Sequence, residues 1–209
     1  MPIPQRLSWP VKKILNSRDL FQEFNAQQML ERKVFSIKKL YKCMQGEHDK
    51  VNWRRIICNN SASPKAIFIT WLTLHDKLAT KSRLYSGGIA PDKQCVLCEN
   101  ADETKSHLFF DCPTANIVWK ICLQQIRLTY HKRNFCDEVQ LVANRSHNKS
   151  PQAQLYTMFF TEALYRLWTY RNSSLVFARV KVDTLVLCKQ IIFNVACRCA
   201  EDVRRLLIV

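Results

Sequence analysis

Glycine is scarce in this chain, with only three among 209 residues. Tight β-hairpins and barrel corners depend on glycine because their backbones turn through positive φ. The shortage argues against a many-stranded β fold. It favours a mainly α-helical protein, with at most a small strand pair.

Long apolar runs are also missing. A helix that spans a bilayer needs roughly 20 consecutive apolar residues, and no stretch of the sequence approaches that length. The first residues, MPIPQRLSWPVKK, lack the central apolar block of a secretory signal peptide. We therefore expect an intracellular protein with no membrane partner, whose ten cysteines are mostly free thiols or metal ligands rather than disulfides.

Acidic residues are few relative to basic ones. The chain has 32 Lys/Arg against 17 Asp/Glu, a formal net charge of +15. Residues 1–60 have a net charge of +7, residues 61–119 of zero and residues 120–209 of +8. A single lysine is often only a solvated surface charge. The total excess nevertheless favours a polyanionic partner, above all nucleic acid, with the two flanks supplying most phosphate contacts.

Helical signals recur along the chain. SPKAIFITWLTL predicts a helix with Ser63 as N-cap and Pro64 as the first helical residue. TKSRLYSGG predicts a shorter helix that Thr80 caps and the glycine pair stops. The apolar stripe of the first of these helices is predicted to comprise Ile67, Trp71, Leu74 and Leu78.

Helices are also predicted on both sides of this region. They are VKKILNSRDLFQEFNAQQML, FSIKKLYKCMQG with Ser36 as its cap, PTANIVWKICLQQIRL and PQAQLYTMFFTEALYRLWTYRNSSLVF. The last segment, roughly Val182 to Leu207, has apolar residues close to heptad spacing. They are Leu185, Cys188, Ile192, Val195, Cys199, Val203 and Leu206. Such a seam could pair with another chain, but we expect it to pack on the preceding helix.

Four candidate metal ligands lie in QCVLCENADETKSHLFFDCP. They are Cys95, Cys98, His107 and Cys112, spaced C-x2-C-x8-H-x4-C. The C-x2-C pair lets two thiolates converge on one ion from a tight turn, and the histidine and third cysteine supply the remaining tetrahedral corners. A sulfur-rich tetrahedral set suits zinc. Four protein ligands close the coordination shell, so the pattern predicts one structural Zn²⁺ without an open position for a catalytic water.

The C-x2-C pair also has interpretations that involve no metal. A redox C-x2-C needs a preceding strand and a helix that begins at its second cysteine, but the polar run ENADE follows Cys98. A chance pair beside a packed histidine is the simplest alternative to a metal. The other seven cysteines fall mostly on apolar helix faces and are predicted to be small core residues.

The sequence around these cysteines resembles a known family. FSIKKLYKCMQG, WRRI and the stretch from PKAIFITWLTL to CPTANIVW are similar to the zinc-binding domain after the reverse transcriptase in plant non-LTR (LINE-type) retrotransposon polyproteins. The resemblance covers about Val34 to Trp119 and fills the family's four ligand positions. Its most specific part is GI-PD--C--C followed by E---HLFF-CP-A---W. Downstream, Trp168, Arg171 and Asn172 resemble the W--RN---F helix that often follows this domain, with Phe177 one residue beyond the last position of that pattern.

This resemblance implies zinc-dependent folding, nucleic-acid binding beside a polymerase, and residence in the nucleus. The chain itself has no aromatic-x-Asp-Asp pair of a polymerase and no carboxylate set of a ribonuclease H. We therefore expect a non-catalytic module without a small-molecule substrate. It could be a fragment or a domesticated remnant of such an element. The alternative is a zinc-stabilised scaffold that binds a protein partner through its C-terminal helix.

Together these patterns predict a mainly α protein, in which a small helical domain stabilised by a zinc knuckle precedes a helical C-terminal region. The expected divisions are an N-terminal helical lead-in (1–33), a reverse-transcriptase-type zinc-binding domain (34–119), a linker with a short helix (120–150) and a C-terminal helical hairpin (151–209). The candidate nucleic-acid contacts, RNA or DNA, lie on the basic flanks. They are Lys38, Lys39, Lys42, Arg54, Arg55, Lys132, Arg133, Arg204 and Arg205.

Overall fold

The computed structural model describes residues 38, 41–42, 49–176 and 183–207. The helix predicted in VKKILNSRDLFQEFNAQQML and most of the one in FSIKKLYKCMQG lie outside the described residues. Lys39, Cys43 and Phe177 lie outside them as well. Residues 51–209 form one compact unit, and the helices named below all belong to it.

Within residues 51–207, the described part of the chain forms eight α-helices, one short π-helix and no β-strand, and Lys38, Tyr41 and Lys42 are helical as well. The α-helices are α1 (Arg54–Cys58), α2 (Pro64–Leu74), α3 (Lys81–Ser86), α4 (Pro113–Gln124), α5 (Phe135–Arg145), α6 (Pro151–Val176), α7 (Thr184–Arg198) and α8 (Glu201–Arg204). The π-helix His107–Asp111 lies between α3 and α4. An isolated antiparallel bridge joins Gln94 and Asp102. The prediction of a mainly α fold is therefore confirmed.

Helix α6 is the centre of this unit. All ten side chains from Leu155 to Leu164 are buried. A helix that is enclosed on every side needs neighbours on every side, and α2, α4, α5, α7 and α8 all pack against α6. The fold is therefore a group of helices arranged around one central helix.

Helix α2 begins as predicted, but its buried face is different. Ser63 is the N-cap and its hydroxyl accepts a hydrogen bond from the Ala66 N–H at 3.3 Å. The predicted apolar stripe is only partly confirmed, because Leu78 is buried whereas Trp71 is 39% exposed. The side chains that α2 buries are Ala66, Thr70 and Thr73. Small side chains let α2 lie close to α6, and this arrangement leaves the larger rings outside.

The C-terminal seam packs mostly within the chain. Helix α7 packs against α4 and α6, and it ends at Arg198 before α8 begins at Glu201. Cys188 and Val195 of the seam are buried, whereas Leu185 is 57% exposed. The expectation that this segment packs on the preceding helix is confirmed for its buried positions.

The prediction for the remaining cysteines is half right within the described residues. Cys122, Cys188 and Cys199 are buried. The prediction is wrong for three others, because Cys58, Cys136 and Cys197 are exposed. Their small side chains fit equally well at the solvent side of a helix.

None of the described helices has the length and apolar character needed to cross a membrane. The division into four segments stays a prediction.

Candidate metal centre

The first two candidate ligands are held by a closed loop. The Cys95 N–H donates to the Ala101 carbonyl at 2.8 Å, and the Glu103 N–H donates to the Lys93 carbonyl at 2.7 Å. Inside the loop, the Glu99 N–H bonds to the Cys95 carbonyl at 2.9 Å, and Glu99 adopts a left-handed φ of 57°. The sharp turn brings the two thiols of the C-x2-C pair to one side.

The other two candidate ligands are joined by the π-helix. The His107 N–H donates to the Thr104 hydroxyl at 3.1 Å, and the Cys112 N–H donates to the His107 carbonyl at 2.7 Å. This last bond spans five residues, which is the hydrogen-bond pattern of a π-helix. It places two ligands separated by four residues next to each other. Cys112 is also the N-cap of α4, with Pro113 as the first helical residue.

The four predicted ligands converge. The ligand atoms of Cys95, Cys98, His107 and Cys112 all lie within 4.8 Å of one another, and Cys98 Sγ lies 3.2 Å from His107 Nε2. Cys95 and Cys112 are fully buried, and the other two are partly buried. Sulfurs bound to one tetrahedral zinc lie about 3.8 Å apart, because each Zn–S bond is about 2.3 Å long. Three thiols and one imidazole whose ligand atoms all lie within 4.8 Å of one another could therefore hold one zinc ion.

The two buried thiols, Cys95 and Cys112, share one proton through a hydrogen bond. The pKa of Cys112 is lowered, first because the Cys95 thiol hydrogen-bonds its thiolate, and further because the Ala115 and Thr114 N–H groups of α4 point to it. The same hydrogen bond with Cys112, together with burial, raises the pKa of Cys95. A zinc ion would displace the shared proton and bind both sulfurs as thiolates.

The residues between the last two ligands anchor the centre to the core. Leu108, Phe109 and Phe110 are all buried. The Phe110 ring stacks on Phe160 of α6, with centroids 6.0 Å apart, and meets the Trp119 ring edge-on at 6.1 Å. The apolar residues of the HLFF-CP-A---W pattern therefore pack the turn from His107 to Cys112, here called the ligand turn, against α4 and α6. The π-helix also packs against α5. Helix α2, which contains Trp71, packs against α1 and α6.

A buried ion pair joins the cysteine loop to α6. Glu103 is fully buried and Arg171 is 3% exposed. The Arg171 Nε and Nη2 atoms donate to Glu103 Oε1 at 2.9 Å and 2.6 Å. The same oxygen accepts the Lys81 N–H at the start of α3 at 2.8 Å, and Nη2 also donates to the Ala79 carbonyl at 3.1 Å. The guanidinium lies over the Trp168 ring, 4.9 Å from its centroid.

The pairing of Glu103 with Arg171 is not predicted from the sequence. Glu103 and Arg171 belong to two separate patterns of the family resemblance, 68 residues apart. Their presence in those patterns was the available signal, since helical spacing says nothing about a contact over such a distance. The structure connects the two patterns physically.

The candidate nucleic-acid contacts have different surroundings. Lys38, Lys42, Arg54, Arg55 and Lys132 are exposed, and Lys39 is outside the described residues. Three others are already engaged with carboxylates. A guanidinium nitrogen of Arg133 lies 3.5 Å from a carboxylate oxygen of buried Glu138. The guanidinium groups of Arg204 and Arg205 lie 3.4 Å and 4.0 Å from the Glu201 carboxylate.

Arg55 lines a polar cleft of ≈ 270 Å³ between α1, the end of α5 and the beginning of α6. The second cation in the cleft is Lys149, which lies in the predicted linker (120–150) and is not among the contacts predicted from the sequence. Amide and hydroxyl side chains provide much of the remaining lining, namely Asn59, Asn60, Ser61, Ser146, Asn148 and Gln154. No acidic residue is among the described side chains that line it.

A comparison with known families agrees with the geometry. The family model described as zinc-binding in reverse transcriptase matches residues 35–119, a range that contains all four converging side chains. No curated protein and no solved structure matches the chain. The resemblance to this kind of domain is therefore confirmed, and so is the expectation of zinc as its cofactor.

Proposed function

Since residues 35–119 match the family model of zinc-binding domains in reverse transcriptase, we propose that the chain is a non-catalytic, zinc-stabilised module that binds nucleic acid. The zinc ion would join the cysteine loop to the π-helix. Its four protein ligands would leave no open position for a reactive water. The proposal includes an origin in a LINE-type retrotransposon polyprotein of a plant, and residence in the nucleus.

The polar cleft beside α1 is the observation that carries this proposal. Arg55 and Lys149 contribute two positive charges, and no acidic side chain among the described lining residues offsets them. Amide and hydroxyl groups around them supply further hydrogen-bond donors. Phosphate groups are bound by this combination, and phosphate contacts provide much of the affinity of nucleic-acid-binding proteins.

Exposure and pairing favour some of the predicted contacts over others. Arg54, Arg55 and Lys132 are exposed and form no ion pair with another described residue. Arg133 is less suitable, because its guanidinium already faces the buried carboxylate of Glu138. Arg204 and Arg205 share the Glu201 carboxylate, but both are exposed and remain accessible to phosphate.

A protein-interaction scaffold is the second candidate function. On α7, Leu185, Val186 and Phe193 are 57%, 44% and 68% exposed. Clustered apolar side chains on a surface are a common feature of protein-binding sites. The neutral charge of residues 61–119 also fits a segment that does not itself bind a polyanion.

Fluorescence anisotropy with labelled RNA and DNA oligomers separates the two functions. We expect the zinc-loaded protein to bind, with an affinity that falls steeply as salt rises, because phosphate contacts release counterions. Removal of zinc by a chelator should abolish binding. No binding at low salt by the folded, zinc-loaded protein would contradict the proposal and favour the scaffold.

The cleft has its own test in the same assay. The double variant Arg55→Ala/Lys149→Ala should weaken binding of all sequences and reduce the slope of log affinity against log salt by about 1 to 2. The control variant Lys120→Ala/Lys189→Ala removes two exposed charges that do not line the cleft. An equal effect of both double variants would show that only total charge matters.

A further inference from the structure

Four aromatic side chains form a row that follows the outer side of α2 and ends at Trp53, the N-cap of α1. The rings of Phe68 and Trp71 stack with centroids 6.1 Å apart and planes 16° apart. The Trp71 and His75 ring centroids lie 4.6 Å apart with the planes tilted by 57°. The His75 ring meets the Trp53 ring, at the start of α1, edge-on with centroids 5.1 Å apart. We call these four residues the aromatic row.

Core packing does not explain the two large rings that α2 carries, whereas Trp53 is partly buried and packs against the core. Helix α2 contacts the core through Ala66, Thr70 and Thr73, whereas Phe68 is 57% exposed and Trp71 is 39% exposed. Large aromatic side chains contribute most to stability when they are buried. Two of them stacked together at the surface indicate a site for something that binds there.

The charged groups next to the row are mainly basic. Lys65 lies one helical turn before the first ring of the row, and Arg54 directly follows its last. Both are exposed, and neither pairs with a described carboxylate. Asp76, the acid next to the row in sequence, is bound by the Lys105 Nζ at 3.1 Å. The charge around the rings therefore complements a polyanion.

We propose that the aromatic row is a stacking platform for the bases of single-stranded nucleic acid. Every base has a flat face that stacks on an aromatic ring, and cations beside the rings hold the adjacent phosphates. In a duplex the bases are already stacked on each other, so the row selects unpaired strands. The inference rests on the proposed nucleic-acid binding and adds that bases, as well as phosphates, are bound.

The test compares two ligands with equal charge. One is a short oligouridylate, and the other is an abasic oligomer of the same length. The native protein should bind the oligouridylate at least tenfold more tightly, since stacking contributes roughly tenfold for each base. Phe68→Ala/Trp71→Ala should bind both ligands with equal, weak affinity. The salt dependence should stay unchanged, because the phosphate contacts remain.

Two further variants keep the test independent of folding. Trp71→Phe retains a ring and should retain most of the preference for the base-bearing ligand. Leu185→Ala/Phe193→Ala removes two exposed apolar side chains from α7 and should bind like the native protein. Quenching of tryptophan fluorescence by the oligouridylate should be present in this control and reduced in Phe68→Ala/Trp71→Ala.

The possible results distinguish the platform from the function on which it rests. Equal binding of both ligands by the native protein would overturn the platform and leave phosphate-mediated binding intact. Duplex binding as tight as single-strand binding would also overturn it. So would a Phe68→Ala/Trp71→Ala variant that loses affinity for both ligands by the same factor and therefore keeps the preference for the oligouridylate. Binding of neither ligand by the folded, zinc-loaded protein would contradict the platform and the proposed function together.

Discussion

Cys112 has three structural roles at once. Its thiol belongs to the ligand cluster, its N–H closes the π-helix on the His107 carbonyl, and its backbone caps α4. Cys98 has a simpler position, because its thiol is only partly buried and no helix begins at it. A change at Cys98 therefore tests metal binding with less disturbance of the backbone.

Cys98→Ser or His107→Ala should release zinc and loosen residues 93–119. Each change removes one of four ligands, and a structural zinc contributes on the order of 10 kcal/mol to folding the region that it joins. Zinc content after dialysis against a weak chelator measures the first effect. Hydrogen exchange of the Cys95, Glu103 and Cys112 amides measures the second.

Cys136→Ser is the matched control for this prediction. Cys136 is an exposed free cysteine in α5 and is not part of the cluster. The control should keep its zinc and its amide protection. Full zinc occupancy in both ligand variants would refute the assignment of the site.

At the scale of elements, two helices begin where a distant carboxylate accepts a backbone N–H. Glu162 of α6 accepts from the Ser63 N–H at 2.8 Å, and Glu103 accepts from the Lys81 N–H at 2.8 Å. Thr80 occupies the N-cap of α3, as predicted, but its side chain makes no capping bond. Anions stabilise helix starts because the first N–H groups lack partners within the helix. Tertiary contacts therefore complete both starts.

Arg171→Leu should lower the free energy of unfolding by about 3–5 kcal/mol, because it leaves the buried Glu103 carboxylate without its cation. The loss should spread to α3, whose first N–H bonds to the same oxygen. Urea unfolding measures the free energy. Hydrogen exchange in residues 81–86 measures the local effect.

Two companion variants make this prediction specific. Arg171→Leu/Glu103→Gln should recover part of the loss, because a neutral amide is less costly to bury than an unpaired carboxylate. Arg204→Leu removes an arginine whose ion pair with Glu201 is largely exposed and should change stability little. Strictly additive effects of the changes at Arg171 and Glu103 would contradict the coupling.

At the scale of the whole molecule, residues 51–119, here called the zinc segment, and the C-terminal helices share one hydrophobic core. Trp119, at the end of the matched segment, meets the Tyr156 ring of α6 edge-on at 5.5 Å. The core cluster of buried residues runs from Ile56 to Leu207. A zinc ion fixes the ligand turn, but the apolar side of that turn is covered by helices that follow it in sequence.

A fragment that ends at Gln124 should therefore bind zinc without acquiring fixed tertiary packing. It would leave Phe110, Val118 and Trp119, all buried in the chain, without α6 to cover them. We expect weak near-UV circular dichroism and a broad thermal transition, against a cooperative transition for the full chain. Zinc retention by the same fragment separates loss of the core from loss of the metal. A sharp, cooperative transition in the fragment would show that the zinc segment folds alone.

Sequence was most informative where chemistry and short spacing decide the structure. The C-x2-C pair, the Ser63–Pro64 helix start and the helix start at Pro113 all involve neighbours within a few residues. Backbone geometry alone restricts such neighbours to a few arrangements. The neutral middle and basic flanks are likewise properties of composition, and no folding is needed to establish them.

The tertiary structure alone decided which faces meet. Sequence periodicity favoured Trp71 for the interior of α2, but close packing on α6 selects Ala66, Thr70 and Thr73 and leaves Trp71 in the exposed row. The partnership of Glu103 with Arg171, and the cleft that brings Lys149 to Arg55, also appear only after folding. Local pattern determines what a helix can bury, whereas the shape and charge of its neighbours determine what it does bury.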